Sequence, residues 1–238
     1  FISSVTQWDE QLSFSNSDRY IQCLPLNHIA GLSIIIRSQI KGFETILMNQ
    51  FNANKINSEI EDGATLVSLI PSMLKRLLDI RSGKSFPPHF RGAIIGGDSC
   101  SKNLIEEAIA YGMPVYKTYG MTETCSGISG FWVNNNPENL ESVGRPFRQT
   151  KITVSDKGLI VKGPTVASFI NNQKNKNKIF ETSDIGFLKK GFLFIKGRSD
   201  DIVISSGENI SLSYVRNIFL NHPNVIDVYL DYAKNDYS

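Results

Sequence analysis

The feature that most constrains the fold is a regular alternation of short apolar segments with helix-like segments in the first half of the chain. The apolar segments have the length and residue types of buried strands, and apolar residues between them recur at helical spacing. The predicted strands are Ile21–Leu26, Thr45–Met48, Thr65–Ile70, Ala93–Ile95 and Val115–Tyr119. The predicted helices are Gly31–Ile40, Asn54–Glu61, Pro71–Ile80 and Lys102–Tyr111. This alternation predicts an α/β fold with a mostly parallel sheet layered with helices.

The pattern changes after Asn134. Three apolar segments follow one another without helices between them, so we expect short antiparallel strands at Lys151–Val154, Leu159–Lys162 and Phe192–Lys196. The polar, basic segment Asn171–Lys178 is typical of a surface loop.

A domain boundary is expected near Asp200. Residues 1–199 then form part of a large N-terminal domain, and residues 200–238 form the start of a small α+β C-terminal domain. In the small domain we expect, in chain order, a strand, a turn, a helix and a strand, at Asp201–Ser205, Ser206–Gly207, Ser211–Leu220 and Val225–Leu230.

The composition is that of an ordinary globular protein and excludes several classes. The 238 residues are 41% hydrophobic and 20% charged, with a formal net charge of +2, so neither a nucleic-acid partner nor a membrane span is expected. Three cysteines without a CxxC pair predict no disulfide framework, and we expect a cytoplasmic protein. The sequence is compatible with a homo-oligomer and does not determine the oligomeric state.

The segment VYKTYGMTETCSG, Val115 to Gly127, combines a strand with polar chemistry. Gly120 lets the chain turn where the strand ends, and Thr122 and Glu123 follow at once. In an open α/β sheet, groups beyond the carboxyl ends of strands face the ligand. A carboxylate beside hydroxyls suits Mg²⁺, which prefers hard oxygen ligands. Taken alone, such a cluster is more often a polar loop or a helix cap.

Part of this segment, YGMTETCS (Tyr119–Ser126), resembles the adenine- and magnesium-binding motif of the adenylate-forming acyl- and aryl-CoA synthetases. Further similar segments follow the family's order. They are LPLNHIAGLS (Leu24–Ser33), IIGGDSCS (Ile94–Ser101), VGRP (Val143–Pro146), LIVKGP (Leu159–Pro164), TSDIG (Thr182–Gly186) and GRSDDIVISSGENI (Gly197–Ile210). Within the superfamily, the pairing of LPLNHIAGLS with YGMTETCS looks most like the o-succinylbenzoate–CoA ligases of menaquinone synthesis.

The resemblance implies an AMP-forming carboxylic acid–CoA ligase. Its partners would be a small carboxylic acid, ATP with Mg²⁺, and CoA as co-substrate. Two alternatives stay open. The acid could be a fatty acid or another aryl acid, or the chain could be a non-catalytic nucleotide- or acyl-binding remnant of the fold.

The resemblance also implies roles for individual residues. Glu123 would hold the magnesium ion and Thr122 would contact a phosphate oxygen, and both count with His28 as catalytic candidates. The nucleotide would be bound by Gly96, Gly97, Asp98, Tyr119, Gly120, Met121, Thr122, Asp184 and Arg198, and Gly207 would lie near the pantetheine of CoA. For Glu123 the alternative is a helix cap, and for Asp184 and Arg198 it is a surface ion pair.

The acid would be bound by His28, Arg37, Gly96 and Ser126. Arg37 stands where the o-succinylbenzoate ligases tend to carry a basic residue, and its cation could pair with a second substrate carboxylate. A solvent-facing helix arginine is the alternative. Asn27 and Ala30 depart from the family pattern, in which an aromatic residue and a serine are usual.

Asp200 aligns with the family's hinge between the two domains. The family's phosphate loop and its C-terminal lysine have no counterpart among these residues. We therefore expect the sequence to be the middle of a longer enzyme, and to be poorly soluble by itself.

Overall fold

The structure, a computed structural model, describes residues 1–205, 208–220, 222, 225 and 228–232. Its helices are α1 (Ile2–Leu12), α2 (Ile29–Lys41), α3 (Ala53–Glu61), α4 (Pro71–Arg81), α5 (Lys102–Ala110) and α6 (Leu212–Leu220). Its strands are β1 (Arg19–Gln22), β2 (Glu44–Leu47), β3 (Leu66–Leu69), β4 (Gly92–Ile95), β5 (Val115–Met121), β6 (Ser126–Trp132), β7 (Arg145–Pro146), β8 (Lys151–Ser155), β9 (Gly158–Lys162), β10 (Phe169–Ile170), β11 (Gln173–Lys174), β12 (Ile179–Glu181), β13 (Asp184–Lys189), β14 (Phe192–Arg198), β15 (Ile202–Ser205) and β16 (Glu208–Ser211).

A seven-stranded sheet in the order β2-β1-β3-β4-β5-β6-β7 forms the centre. Strands β1 to β5 run parallel, and β6 and β7 add antiparallel strands at one edge. The strands and helices predicted between residues 21 and 119 are confirmed, with ends that differ by a few residues. The predicted mostly parallel sheet layered with helices is therefore correct.

Helices cover both faces of this sheet, because its central strands carry apolar side chains on both sides. Helices α3, α4 and α5 pack on one face, around a core that includes Ile21, Leu69 and Leu78. Helices α1 and α2 pack on the other face, through Trp8 and Ile34 among others. The chain changes face after β2, so the strand order reverses between β1 and β3. Open α/β sheets bind ligands in the crevice outside the carboxyl ends at such a reversal.

Short antiparallel strands follow the sheet, as expected. Strands β8, β9 and β12 form a three-stranded sheet, and β13 pairs with β14. They share a smaller apolar core that includes Ile128, Leu159 and Leu193. Strands β15 and β16 form a further antiparallel pair, and α6 contacts β14. Among the described residues, no helix is both long and apolar enough to cross a membrane.

Three elements of the central fold were not predicted: α1, β6 and the two-residue strand β7. In α1 the buried residues Val5, Trp8 and Leu12 recur at helical spacing, but the polar residues between them weaken the apolar periodicity that predicts a helix. Strand β6 has the sequence SGISGFW, whose glycines and serines have low strand propensity. Pairing with β5 over most of its length overrides that propensity.

The C-terminal predictions need correction. Ser211 lies in β16, a strand that was not predicted, so α6 begins one residue later. The predicted strand at Val225–Leu230 is wrong, since its described residues lie outside any strand. The predicted turn at 206–207 lies outside the described residues. The segment Asn171–Lys178 is mostly turns, but it contains β11 paired with β10. The domain boundary near Asp200 stays a prediction.

Candidate functional site

A cleft of about 500 Å³ opens at the carboxyl ends of β1, β3, β4 and β5, at the strand-order reversal. Its volume falls in the range that holds a small organic molecule. Several residues singled out in the sequence line it: His28, Arg37, Gly96, Gly97, Gly120, Met121, Thr122 and Ser126. The structure therefore brings the predicted acid-binding residues and part of the predicted nucleotide-binding set to one place.

Glycines form the part of the wall where strands approach closely. A Cβ on Gly96 would lie 2.9 Å from Cγ2 of Thr118, and one on Gly120 would lie 2.0 Å from the carbonyl oxygen of Ser126. Gly97 has φ +81°, a left-handed conformation that favours glycine. These positions keep backbone, rather than side chains, at the surface of the cleft.

Asp98 lies at the margin and is not part of the cleft wall. Its Oδ1 accepts a hydrogen bond from the Ser99 amide at 2.7 Å and pairs with Nη1 of Arg216, on α6, also at 2.7 Å. The structure thus separates Asp98 from the neighbouring glycines and joins it to α6.

Thr122 and Glu123 lie on a single 3-10 turn, Thr122–Thr124, between β5 and β6. The Thr124 hydroxyl accepts from the Met121 amide at 3.1 Å and contacts the Ser126 carbonyl at 3.0 Å, which holds the turn closed. The Thr122 side chain is exposed to the cleft. Glu123 is half-buried, and its carboxylate has no hydrogen bond or ion pair with any described residue.

The chemistry of Glu123 fits a magnesium ion bound through few protein ligands. Among the residues the structure describes, no group of three or more His, Cys, Asp or Glu side chains could enclose a metal. Mg²⁺ in phosphate-transfer sites takes one or two carboxylates and completes its shell with water and phosphate oxygens. An unpaired carboxylate next to an exposed hydroxyl can serve that kind of site, whereas it could not form a protein-only cage.

The chain leaves this turn through two strained residues. Cys125 has φ +56° and Ser126 has φ +81°, both unusual for residues other than glycine. The buried Ser4 hydroxyl donates to the Cys125 carbonyl at 2.9 Å, so α1 holds the conformation in place. Strain of this kind is common where a functional group must be held in position. Here it places the Ser126 hydroxyl beside Arg37.

Arg37, on α2, is a buried cation without a counter-charge among the residues that the structure describes. Only 2% of the residue is exposed, so the alternative of a solvent-facing helix arginine is wrong. Its Nη2 donates to the Ser126 hydroxyl at 3.3 Å, and its Nε has no hydrogen-bond partner among the described residues. No described acidic side chain forms an ion pair with it. Burial lowers the pKa of the Arg37 guanidinium to about 10, which still leaves it charged at neutral pH.

Trp8 was missed by the sequence analysis. Its ring lies under Arg37, with the guanidinium carbon 4.3 Å from the ring centroid, and it lines the cleft. The signal that could have found it is the helical spacing of Ser4, Trp8 and Leu12, three buried residues of α1.

A second polar cluster adjoins the cleft. The Tyr119 hydroxyl donates to Oδ2 of Asp184 at 2.5 Å, and Nη1 of Arg198 lies 3.4 Å from the other carboxylate oxygen. Burial and the neighbouring Asp184 raise the pKa of Tyr119, so it stays a hydrogen-bond donor. Arg198 also forms a bidentate pair with Asp200, at 2.8 and 2.6 Å, and this pair lowers the pKa of Asp200. The predicted nucleotide residues and the predicted hinge residue are therefore in direct contact.

Two of the predicted residues, His28 and Gly207, have no described contact that bears on their predicted roles. His28 is exposed at the rim of the cleft, where it precedes the first turn of α2. Gly207 lies outside the described residues. The chemical roles assigned to all these residues stay predictions.

Fold and site together define an open α/β protein with a cleft at the strand-order reversal, the place where such sheets bind ligands. The sequence profile of the AMP-binding enzyme family matches residues 1–168. The chain belongs to the AMP-binding enzyme family, which confirms the resemblance found in its motifs.

The most similar relatives share one description. The chain is 30% identical over 234 residues to a 2-succinylbenzoate–CoA ligase of Bacillus mycoides, covering 91% of this chain and 49% of the relative. The structure of o-succinylbenzoate coenzyme A synthetase from Bacillus subtilis in complex with AMP superposes with a TM-score of 0.88 at 30% identity, covering 99% of this chain and 52% of that chain. The same enzyme with ATP and a magnesium ion gives a TM-score of 0.86 at 31% identity, covering 95% and 51%. The chain spans about half the length of these relatives.

The unpaired state of Arg37 predicts an unusual effect on stability. Arg37→Met should raise the free energy of unfolding by about 1–3 kcal/mol, because it replaces a buried cation that has no acidic partner in the described part of the chain with an apolar side chain of similar length. Urea unfolding followed by circular dichroism measures this change, provided that the m-value stays constant.

Arg81→Met is the matched control. Arg81 is equally buried, but it pairs with Glu61 at 3.0 Å and donates to Asn57 at 2.7 Å. Its replacement should lower the free energy of unfolding by about 2–4 kcal/mol. Equal losses in the two variants would contradict the account of Arg37.

Proposed function

We propose that the protein is an AMP-forming carboxylic acid–CoA ligase whose acid substrate is o-succinylbenzoate. The family and the relatives described above support the reaction type. The observation that carries the choice of acid is Arg37, a buried cation in the cleft wall without an acidic partner among the described residues. A buried unpaired charge is costly, and a second carboxylate on the substrate would compensate it.

The reaction has two halves. In the first, a carboxylate oxygen of the acid attacks the α-phosphorus of ATP; the new P–O bond forms as the bond to pyrophosphate breaks, giving an acyl-adenylate. In the second, the thiolate of CoA attacks the acyl carbon and AMP leaves. The protein acts by positioning and charge stabilisation, since both steps join groups that carry negative charge.

Glu123 and Thr122 serve the first half-reaction. A magnesium ion bound at Glu123 would neutralise charge on the phosphates. Glu123 is suited to hold it because the 3-10 turn presents a carboxylate that no described residue engages. The exposed Thr122 hydroxyl donates to a phosphate oxygen. Gly96, Gly97 and the backbone of residues 119–121 offer the adenine a flat surface free of side chains at the closest approaches.

Asp184 and its neighbours serve the ribose. A carboxylate has about four lone-pair sites, so Asp184 can accept from ribose hydroxyls while it keeps Tyr119 and Arg198. Arg198 links the ribose site to Asp200, where the C-terminal domain would rotate between the half-reactions. His28 stands at the entrance of the acid pocket. Asp98 can contribute to the adenine site only after its pair with Arg216 opens. Gly207 would approach CoA.

The alternative acids fit the cleft less well. A fatty acid would bury its alkyl chain against Arg37 and leave that cation uncompensated in an apolar environment. An aryl acid with one carboxylate has the same defect, because its carboxylate is consumed by the reaction. A non-catalytic remnant of the fold has no evident use for an unpaired carboxylate at Glu123 beside the exposed Thr122 hydroxyl.

The proposal predicts AMP release by the natural full-length protein with Mg-ATP, CoA and o-succinylbenzoate. Benzoate and octanoate serve as controls and should give at least about tenfold lower kcat/KM, the discrimination typical when a buried polar group loses its partner. Liquid chromatography of AMP and of the CoA thioester measures the reaction. AMP formed equally with octanoate would support the ligase reaction but refute o-succinylbenzoate as the specific acid substrate. No AMP with any acid would refute the proposed function.

Glu123→Gln should lower kcat for adenylate formation by about 100-fold or more, because it removes the charge that binds the cation while it keeps the side-chain shape. Pyrophosphate release at several Mg²⁺ concentrations measures the effect, and more Mg²⁺ should recover part of it. The matched control is Glu106→Gln, at an exposed position of α5, which should keep the parent rate. Parent-like rates in the Glu123 variant would contradict this role.

A further inference from the structure

Trp8 is the buried residue of the cleft that the expected ligase machinery leaves without a role. It lies on α1, only 1% of it is exposed to solvent, and it nevertheless forms part of the cleft wall. It therefore stands between the empty volume and the packed layer of helices.

The principal contact of Trp8 on the cleft side is with Arg37. The guanidinium carbon lies 4.3 Å above the indole centroid, a stacking distance for a cation–π interaction. Besides this ring, the Ser126 hydroxyl at 3.3 Å is the side-chain group that engages the guanidinium among the described residues. The indole and the Ser126 hydroxyl are thus the side-chain groups that contact the Arg37 guanidinium within the described part of the chain.

The indole ring is itself held in one orientation. Phe147 packs against it edge-on at 5.4 Å and 80°, and Tyr116 packs at 5.8 Å and 52°. A Cβ on Gly127 would lie 2.4 Å from Cζ2 of the indole, so glycine is needed there to make room for the ring. The platform under Arg37 is rigid for these reasons.

The stacked pair also carries unused donors. Nε of Arg37 and Nε1 of Trp8 are buried and have no hydrogen-bond partner among the described residues. Buried donors are nearly always paired in folded proteins, so two unpaired donors on adjoining side chains of a cleft wall are unusual. Both atoms are shielded from solvent, so a ligand acceptor would pair with them after a small shift of the stacked side chains. A carboxylate, with two oxygens and several lone pairs, has the matching chemistry.

We propose that Trp8 is a specificity-determining residue for the acid substrate. Its indole holds the Arg37 guanidinium at the cleft wall, and the pair selects acids that carry a second carboxylate over monocarboxylic acids of the same shape. This inference rests on the proposed ligase function, whose acid it explains. The dicarboxylate preference is then a property of the stacked pair and not of Arg37 alone.

The kinetic test compares two acids in two variants of the full-length protein. The acids are o-succinylbenzoate and the monomethyl ester that keeps its reacting carboxylate. Trp8→Leu should lower the ratio of their kcat/KM values by about tenfold, because the cation loses its aromatic face, and Trp8→Phe should lower it less. The KM for ATP should not change. An equal fall in kcat/KM for both acids would show a merely structural role and overturn the inference.

A binding test does not depend on catalysis. Trp8 and Trp132 are the two tryptophans of this chain, so a Trp132→Phe background and its Trp8→Phe derivative isolate the Trp8 emission by difference. The intensity of the Trp8 fluorescence should change when o-succinylbenzoate is added and should not change when the monomethyl ester is added.

The outcomes separate the inference from the proposed function. No response to o-succinylbenzoate in a protein that releases AMP with it would overturn the role of Trp8 alone. A response in a protein that releases no AMP with any acid would refute the ligase and support the dicarboxylate site. Equal responses to both acids would overturn the selection.

Discussion

The close approach of β5 and β6 at Gly120 is the constraint on which the site depends. Any side chain at this position would collide with the Ser126 carbonyl, which lies 2.0 Å from the place of a Cβ. The tight crossing turns the sheet from parallel to antiparallel and produces the short turn between the two strands. Within seven residues that turn carries Thr122 and Ser126 to the cleft and holds Glu123 next to Thr122, and β5 carries Tyr119 towards Asp184.

The cleft wall and the neighbouring turn carry opposite charges, and neither charge has an oppositely charged partner within the described part of the protein. Arg37 is a buried cation in the cleft wall, and Glu123 is an unpaired carboxylate on the turn that follows β5. A preorganised arrangement of this kind is worth most in a site that excludes water, because its groups need no reorganisation when the ligand arrives. A ligand with an acid group at one end and metal-bound phosphates at the other would pair with both Arg37 and Glu123.

The sequence reveals the fold and the polar ends of the strands because both follow from local pattern. Apolar segments with turn residues at their ends predicted β1 to β5, and glycines after β4 and β5 marked the cleft. Long-range packing explains what was missed. Burial of Arg37 depends on Trp8, 29 positions earlier in a helix of mixed polarity, and the pairing of Asp98 with Arg216 joins residues 118 positions apart. The composition of β6 does not favour a strand, and its extended conformation is stabilised by antiparallel pairing with β5.

The most direct test of this account is a crystal structure of the full-length protein with o-succinylbenzoate, Mg²⁺ and a non-hydrolysable ATP analogue. One carboxylate of the acid should lie within about 3 Å of a nitrogen of the Arg37 guanidinium, which should remain stacked on Trp8. The other carboxylate should point towards the α-phosphate. An acid that binds with neither carboxylate near Arg37 would contradict the central claim that this buried cation selects the substrate.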